Sequence, residues 1–303
     1  MATKFAQGFW RLADPKISLA SAAGILLGAS SAAAAGPIAV GWLVMTVLGI
    51  FAVEVAKNAS GEVFDWDSGT DLRVREEDRS PFSGGKRVLV DGLLTRGQTW
   101  GIAIGGYLLA AIVGLSIVAW RDERVLWFGL AGLALAFFYH APPGRLSYRG
   151  LGELAVAISY GPLVCVGTYL VQRGTIPTGI VLLSLPLGIL IAAFLWINEF
   201  PDYSADALSG KRTLVVRLGR RAASGGFAWL GVSAAVVTAL LPAAGLSVTV
   251  WLGGIAALRY IPAARALLAS PEDTAAIVPA QVMTLQAFLL YSLGASVGML
   301  IGN

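Results

Sequence analysis

The chain has 303 residues, of which 56% are hydrophobic and only 13% charged, and its mean hydropathy is +0.73. A soluble domain carries about 25% charged residues, so a water-soluble globule is excluded and a multi-span helical membrane protein is expected. The single cysteine, Cys165, excludes an internal disulfide, and the single histidine, His140, excludes a His-rich metal site or a His-based triad.

In chain order, the first 16 residues are polar and basic, and the run beginning at Ile17 reads as a first span rather than a cleavable signal segment. About nine apolar segments follow, at roughly 17–35, 38–60, 99–120, 125–142, 151–171, 176–200, 223–243, 246–266 and 280–301. The connections after the second and sixth are long and charged; the others are short turns marked by Pro, Gly or Ser. With a cytoplasmic N-terminus, all but three of the 22 Lys and Arg fall on the inner side, the exceptions being Arg121, Arg124 and Arg173. That asymmetry follows the positive-inside rule. No basic face interleaved with aromatics accompanies the positive net charge, so nucleic acid is not an expected partner. Twice a span runs into an acidic cluster and then a basic stretch. One domain of two related halves is expected, roughly 17–142 and 151–301.

The acidic clusters, GEVFDWDSGTD at 61–71 and NEFPDYSADALSGKRT at 198–213, carry the chemistry. A carboxylate at bilayer depth costs about 3 kcal/mol even on the lenient insertion scale, so its presence there points to a use. Helical spacing puts Glu54, Asn58, Glu62 and Asp65 on one face, and Asp71 follows Ser68-Gly69, where the chain can turn back. Hard divalent cations such as Mg²⁺ take oxygen ligands, typically one or two carboxylates with phosphate oxygens and water. Glu62, Asp65 and Asp71 can supply them; the alternative is an acidic loop solvated and balanced by Arg73, Arg75 and Arg79, which fits Asp67, Glu76, Glu77 and Asp78. In the second cluster Asn198, Asp202 and Asp206 recur every four residues, a polar stripe that Pro201 can kink without destroying. Lys211 and Arg212 follow at once. Two carboxylate sets on a shared cavity would hold metal ions and a diphosphate, with Lys and Arg balancing charge. The competing reading of the stripe is a patch of surface charge at a helix end.

Between the clusters, Arg79 to Arg87 is a Gly-rich basic loop able to close over phosphates, or simply a cytoplasmic loop. Tyr139, His140, Arg145 and Tyr148 flank the start of the fifth segment on the same side, where they can orient an aromatic or acidic second substrate or serve as interfacial anchors.

With these motifs the chain resembles the UbiA superfamily of intramembrane prenyltransferases over nearly its whole length. NASGEVFDWDSGTD, YRGLGEL at 148–154 and GKRTLVVRLG at 210–219 most resemble the 1,4-dihydroxy-2-naphthoate branch of menaquinone synthesis. The resemblance implies an all-α bundle of about nine transmembrane helices around a central cavity, in a bacterial inner membrane. It also implies Mg²⁺-dependent ionisation of an isoprenyl diphosphate and attack by a small aromatic acceptor. Residue by residue, Glu62, Asp65, Asp71, Asp202 and Asp206 would hold Mg²⁺–diphosphate, with Asp65, Asp202 and Asp206 catalytic. Asn58, Arg79, Lys86, Asn198, Lys211 and Arg212 would bind diphosphate, and Tyr139, His140, Arg145 and Tyr148 the acceptor.

Two departures stand out. The usual first motif begins Asn-Asp where this chain has Gly61-Glu62, and the usual Tyr-Thr before the fifth span reads Tyr139-His140. Two other outcomes use the same residues. A terpene cyclase would capture the cation on its own chain without an acceptor. A transporter would carry its ionisable groups along the bilayer midplane, whereas here they gather at span ends.

Overall fold

The computed structural model describes residues 2–302, apart from the side chains of Ala2 and residues 15–17, so the Ile17 side chain at the expected start of the first span lies outside the described residues. The described residues form twelve α-helices joined by turns and short 3₁₀ pieces, with no strand. α1 (Ala2–Ala13) exposes Phe5 and Trp10 while burying Leu12, the amphipathic pattern of a helix lying at a membrane interface. Asp14, with φ 38°, and Pro15 break it from α2 (Pro15–Ala34), and the two meet at 49°.

Among the described residues, seven segments are long and apolar enough to cross a membrane. They are α3 (Val40–Ser68), α4 (Arg96–Trp120), the composite Gly152–Arg173, α8 (Thr178–Leu208), Arg220–Ala244, Val248–Ala269 and α12 (Thr274–Ile301). The bent α1–α2 pair passes the same test only when its two helices are taken together as one broken span. α5 (Val125–Phe138) is 14 residues, about 21 Å at 1.5 Å per residue, short of the ~30 Å hydrocarbon core. Its expected extension to 142 is cut because Pro142 and Pro143 have no amide to continue the helix.

Two helices outrun their apolar runs, and this places the acidic clusters. α3 continues past residue 60 until Ser68, where Gly69 adopts φ 74° and its amide bonds back to the last turn. α8 passes through Pro186 and Pro201 to end at Leu208, so both aspartates of the second cluster stay helical. α8 is also the innermost span: 72% of its apolar window is buried, against 22% for α4. It packs on α10 (Arg220–Leu240), on α12 and on the composite span. That composite consists of α6 (Gly152–Ile158), a π-helical turn Ser159–Leu163 around Pro162, and α7 (Val164–Arg173). At the crossing, a Cβ on Gly161 would stand 2.8 Å from the Gly188 Cα, so only paired glycines allow this approach. The remaining helices, α9 (Leu214–Leu218) and α11 (Ala257–Ala269), close the second half.

Candidate active site

Two cavities meet inside the bundle. The polar one, about 560 Å³, lies where the ends of α3 and α8 converge under the 79–87 loop. α3 contributes Asn58, Glu62 and Asp65; α8 contributes Asp202 and Asp206. Asp71, Arg79, Lys86, Tyr139, His140 and Lys211 complete the expected residues in its wall.

The carboxylates are held individually. Glu62 accepts the Leu89 amide on Oε1 at 2.9 Å, while its Oε2 is buried without a hydrogen-bond partner. Asp65 accepts the Tyr148 hydroxyl at 2.7 Å on Oδ1, and its Oδ2 lies 3.5 Å from His140 Nε2. Lys211 Nζ is 3.3 Å from Asp206 Oδ1. Asp202 Oδ1 and both Asp206 oxygens are also buried without hydrogen-bond partners. Burial, and then the Asp65 and Glu62 carboxylates, hold Asp71 well above the usual carboxylate range. Burial opposes the charge on Lys211, but Asp206, Asp65 and Asp202 outweigh it and push the ammonium well above its ordinary value. Asp65, Asp71, Asp202 and Asp206 thus gather around the single ammonium of Lys211, a local concentration of negative charge that a cation would relieve.

The donor set suits a hard divalent ion, since the orphaned oxygens in the cavity wall, on Glu62, Asp202 and Asp206, are all carboxylate. Among the described residues no three His, Cys, Asp or Glu side chains converge to hold an ion by themselves. An ion here needs oxygens from a substrate as well, which is how Mg²⁺ usually binds beside phosphates.

The glycine loop is built against the first cluster. Gly84 and Gly85 have φ 92° and 75°, and a Cβ on Gly85 would reach 2.3 Å from Asp71 Oδ1. Arg87 Nη1 donates to the Asp71 carbonyl at 3.0 Å. Gly85→Ala should cost about 1–2 kcal/mol in backbone strain and displace the Asp71 carboxyl. We expect turnover to fall at least about 10-fold, read as product formed per minute by the purified variant.

Some expected residues stand elsewhere. Successive i, i+4 positions drift about 40° around a helix of 3.6 residues per turn, so Asn198 sits about 80° from Asp206. Leu195, seven residues before Asp202, lines the wall instead, and Asn198 Oδ1 is buried without a hydrogen-bond partner. Arg212 is exposed outside the wall, and its amide donates to the Tyr148 carbonyl at 3.0 Å. Arg145 stacks on Tyr148, 4.2 Å from the ring centroid, behind the cavity. Tyr148 reaches the site through Asp65 rather than through the wall. Asn58 donates to the Leu12 carbonyl at 2.8 Å and so ties α3 to α1.

Several wall residues lay outside the sequence expectation. Trp10, Arg11 and Asp14 arrive from the N-terminal segment, and Asp14 pairs with Lys86. Lys57 was visible only as the one basic residue in the second apolar run. Lys57 and Tyr139 also line the second cavity, about 360 Å³ and mainly apolar, bounded by α3, α4, α5 and the composite span. Met45, Val53, Phe128, Leu133 and Leu163 are typical of its wall.

A helical bundle with paired carboxylate helices over a polar cavity, opening into an apolar one, defines an intramembrane enzyme site for an anionic head and a hydrophobic tail. A match to the UbiA prenyltransferase family spans residues 21–293, and the chain belongs to that family. It is an integral multi-pass membrane protein. It is 30% identical over 185 residues to 2-carboxy-1,4-naphthoquinone phytyltransferase of Synechocystis sp., covering 60% of this chain and 56% of that protein. The chain thus spans just over half the length of that relative. It is 30% identical over 227 residues to 1,4-dihydroxy-2-naphthoate octaprenyltransferase of Escherichia coli, covering 73% of each. Its fold matches a UbiA homolog from Archaeoglobus fulgidus bound to GPP and Mg²⁺, with TM-score 0.62, 14% identity and coverage of 96% and 99%. A structure of digeranylgeranylglyceryl phosphate synthase matches with TM-score 0.66 and 15% identity, covering 98% and 99%.

Proposed function

We propose that this protein transfers an isoprenyl group from its diphosphate to a small aromatic acceptor, 1,4-dihydroxy-2-naphthoate, in quinone biosynthesis. The observation that carries the reading is the junction of the two cavities: carboxylates and cations on one side, room for a hydrocarbon tail on the other. The names of the relatives support the acceptor.

In this reading Glu62, Asp65, Asp71, Asp202 and Asp206 would hold Mg²⁺ together with the diphosphate. A bound ion supplies Lewis acidity that neutralises the departing anion. The chain's own residues do the rest. Arg79, Lys86 and Lys211 offset the diphosphate charge and Tyr148 orients Asp65, while Asn58, Asn198 and Arg212 support the site from its edge. The allylic C1–O bond breaks with its electron pair leaving on the diphosphate. An acceptor ring carbon, placed by Tyr139 and His140 with Arg145 behind them, bonds C1 and then releases its proton. The enclosed cavity keeps water from the allylic cation, which would otherwise be quenched to an alcohol.

We place the polar cavity and the N-terminus at the cytoplasmic face of a bacterial inner membrane, with the two halves of the single domain each contributing one carboxylate helix. The test is incubation of the purified protein with Mg²⁺, isoprenyl diphosphates of several lengths and 1,4-dihydroxy-2-naphthoate, with product masses measured. Prenylated naphthoate is expected; a hydrocarbon formed equally well without acceptor would establish a cyclase instead. Chelation with EDTA should lower turnover at least about 100-fold, and added Mg²⁺ should restore it.

A further inference from the structure

The steps above leave Lys57 without a role, although it stands where the two cavities join. The wall of the apolar cavity holds one basic side chain among the described residues, and it is Lys57. Among the other cations around the polar cavity, Lys86 pairs with Asp14, Arg11 and Arg87 with Asp91, and Lys211 with Asp206, while Arg79 lines only the polar cavity and does not reach the apolar one. Among the described residues Lys57 makes no ion pair. Its Nζ lies 5.7 Å from the centroid of the Tyr139 ring. Glu54, one turn earlier on α3, faces the same apolar cavity, but its carboxylate accepts the Ser21 hydroxyl and forms no ion pair with Lys57. An ammonium bordering an apolar chamber is costly unless an anion joins it.

The substrates fix which anion that is. With the diphosphate over the carboxylates and the tail in the apolar cavity, the reacting C1 lies at the junction. The acceptor ring must come there too, next to Tyr139 and Lys57. We infer that Lys57 binds a carboxylate carried by the aromatic acceptor, and so selects carboxylated acceptors over neutral ones. This rests on the prenyl-transfer reading and assigns it a specificity-determining residue. A compact ammonium with three donors suits a single carboxylate pendant from a ring that must also lie flat against Tyr139.

The test compares two acceptors, 1,4-dihydroxy-2-naphthoate and 1,4-dihydroxynaphthalene, which lacks the carboxylate, at saturating prenyl diphosphate and Mg²⁺. In Lys57→Met the preference for the carboxylated acceptor, as a ratio of kcat/KM values, should fall about 30-fold or more. Lys57→Arg should retain most of it. An unchanged ratio overturns the inference, as does an unchanged ratio with a raised KM for the prenyl diphosphate, which would assign Lys57 to the leaving group. A second measurement does not depend on turnover: binding of 1,4-dihydroxy-2-naphthoate followed by tryptophan fluorescence should weaken in Lys57→Met, while that of 1,4-dihydroxynaphthalene should not. If the wild type forms no adduct with either acceptor, the transferase reading fails on its own, and the binding comparison still decides the role of Lys57. Should Lys57→Met not fold in detergent, Lys57→Gln serves in both arms.

Discussion

Asp202→Asn should leave a folded protein whose prenyl transfer is reduced at least about 100-fold, the scale of losing one charge-stabilising group in a water-excluded site. The substitution keeps shape and removes charge. Asp202 Oδ1 is buried without a hydrogen-bond partner, and the Gly84 backbone donates to the carboxylate, a bond that the amide oxygen of Asn can still accept. What depends on Asp202 is the charge balance around the polar cavity, where Asp206 stands one turn further along α8 with Lys211 at 3.3 Å. Thermal unfolding of the variant should therefore shift little while diphosphate release collapses. Asp67→Asn is the contrast. That carboxylate belongs to the first acidic cluster, two residues after Asp65, but pairs with Arg96 at 2.8 Å on the exposed surface, and exposed pairs contribute about 0–1 kcal/mol. Its activity should stay within about twofold of the wild type, since a weak surface pair is all it loses. Equal, full activity in both variants would remove the two-cluster reading, and equal loss in both would show that general acidity, not position, matters.

That contrast marks what local spacing can and cannot convey. The stripe on α8 was legible because helical periodicity survives Pro201, and the end of α3 was legible because no breaker intervenes before Ser68-Gly69. Spacing alone also misplaced a residue for a physical reason: a four-residue repeat drifts around the helix, so Leu195 rather than Asn198 faces the cavity. Contacts between distant segments left no local trace. Tyr148 reaches Asp65 across 83 positions, and Asp14 reaches Lys86 across 72. Lys86 thus meets an incoming anion with a carboxylate already beside it. Lys57 was hidden differently. In the sequence it is one lysine near the end of an apolar run, and only the placement of two cavities shows it on their shared wall.

The two departures from the family pattern turn out to be one local arrangement, and this yields the second large effect. A Cβ built on Gly61 would stand 2.6 Å from both Cε1 and Nδ1 of His140, so the imidazole fills the space a side chain at 61 would need. The ring is fixed there by Tyr139, edge-on with centroids 4.8 Å apart, and points Nε2 at Asp65 from 3.5 Å. Gly61→Asn alone should therefore drive the ring out into the cavity and unseat Asp65, lowering kcat about 100-fold, as an ångström of misplacement can. His140→Thr alone leaves a hole beside Gly61 and a carboxylate without its neighbour, with a smaller loss of about 10-fold. Together the two substitutions recreate the usual Asn and Thr, and the Asn amide can take the place beside Asp65 that the imidazole held. The double variant should then recover to within about tenfold of the wild type, far above the product of the single losses, because residues in direct contact do not act additively. Additive losses would mean that Gly61 and His140 answer to separate demands and that the imidazole does not stand in for a side chain at 61.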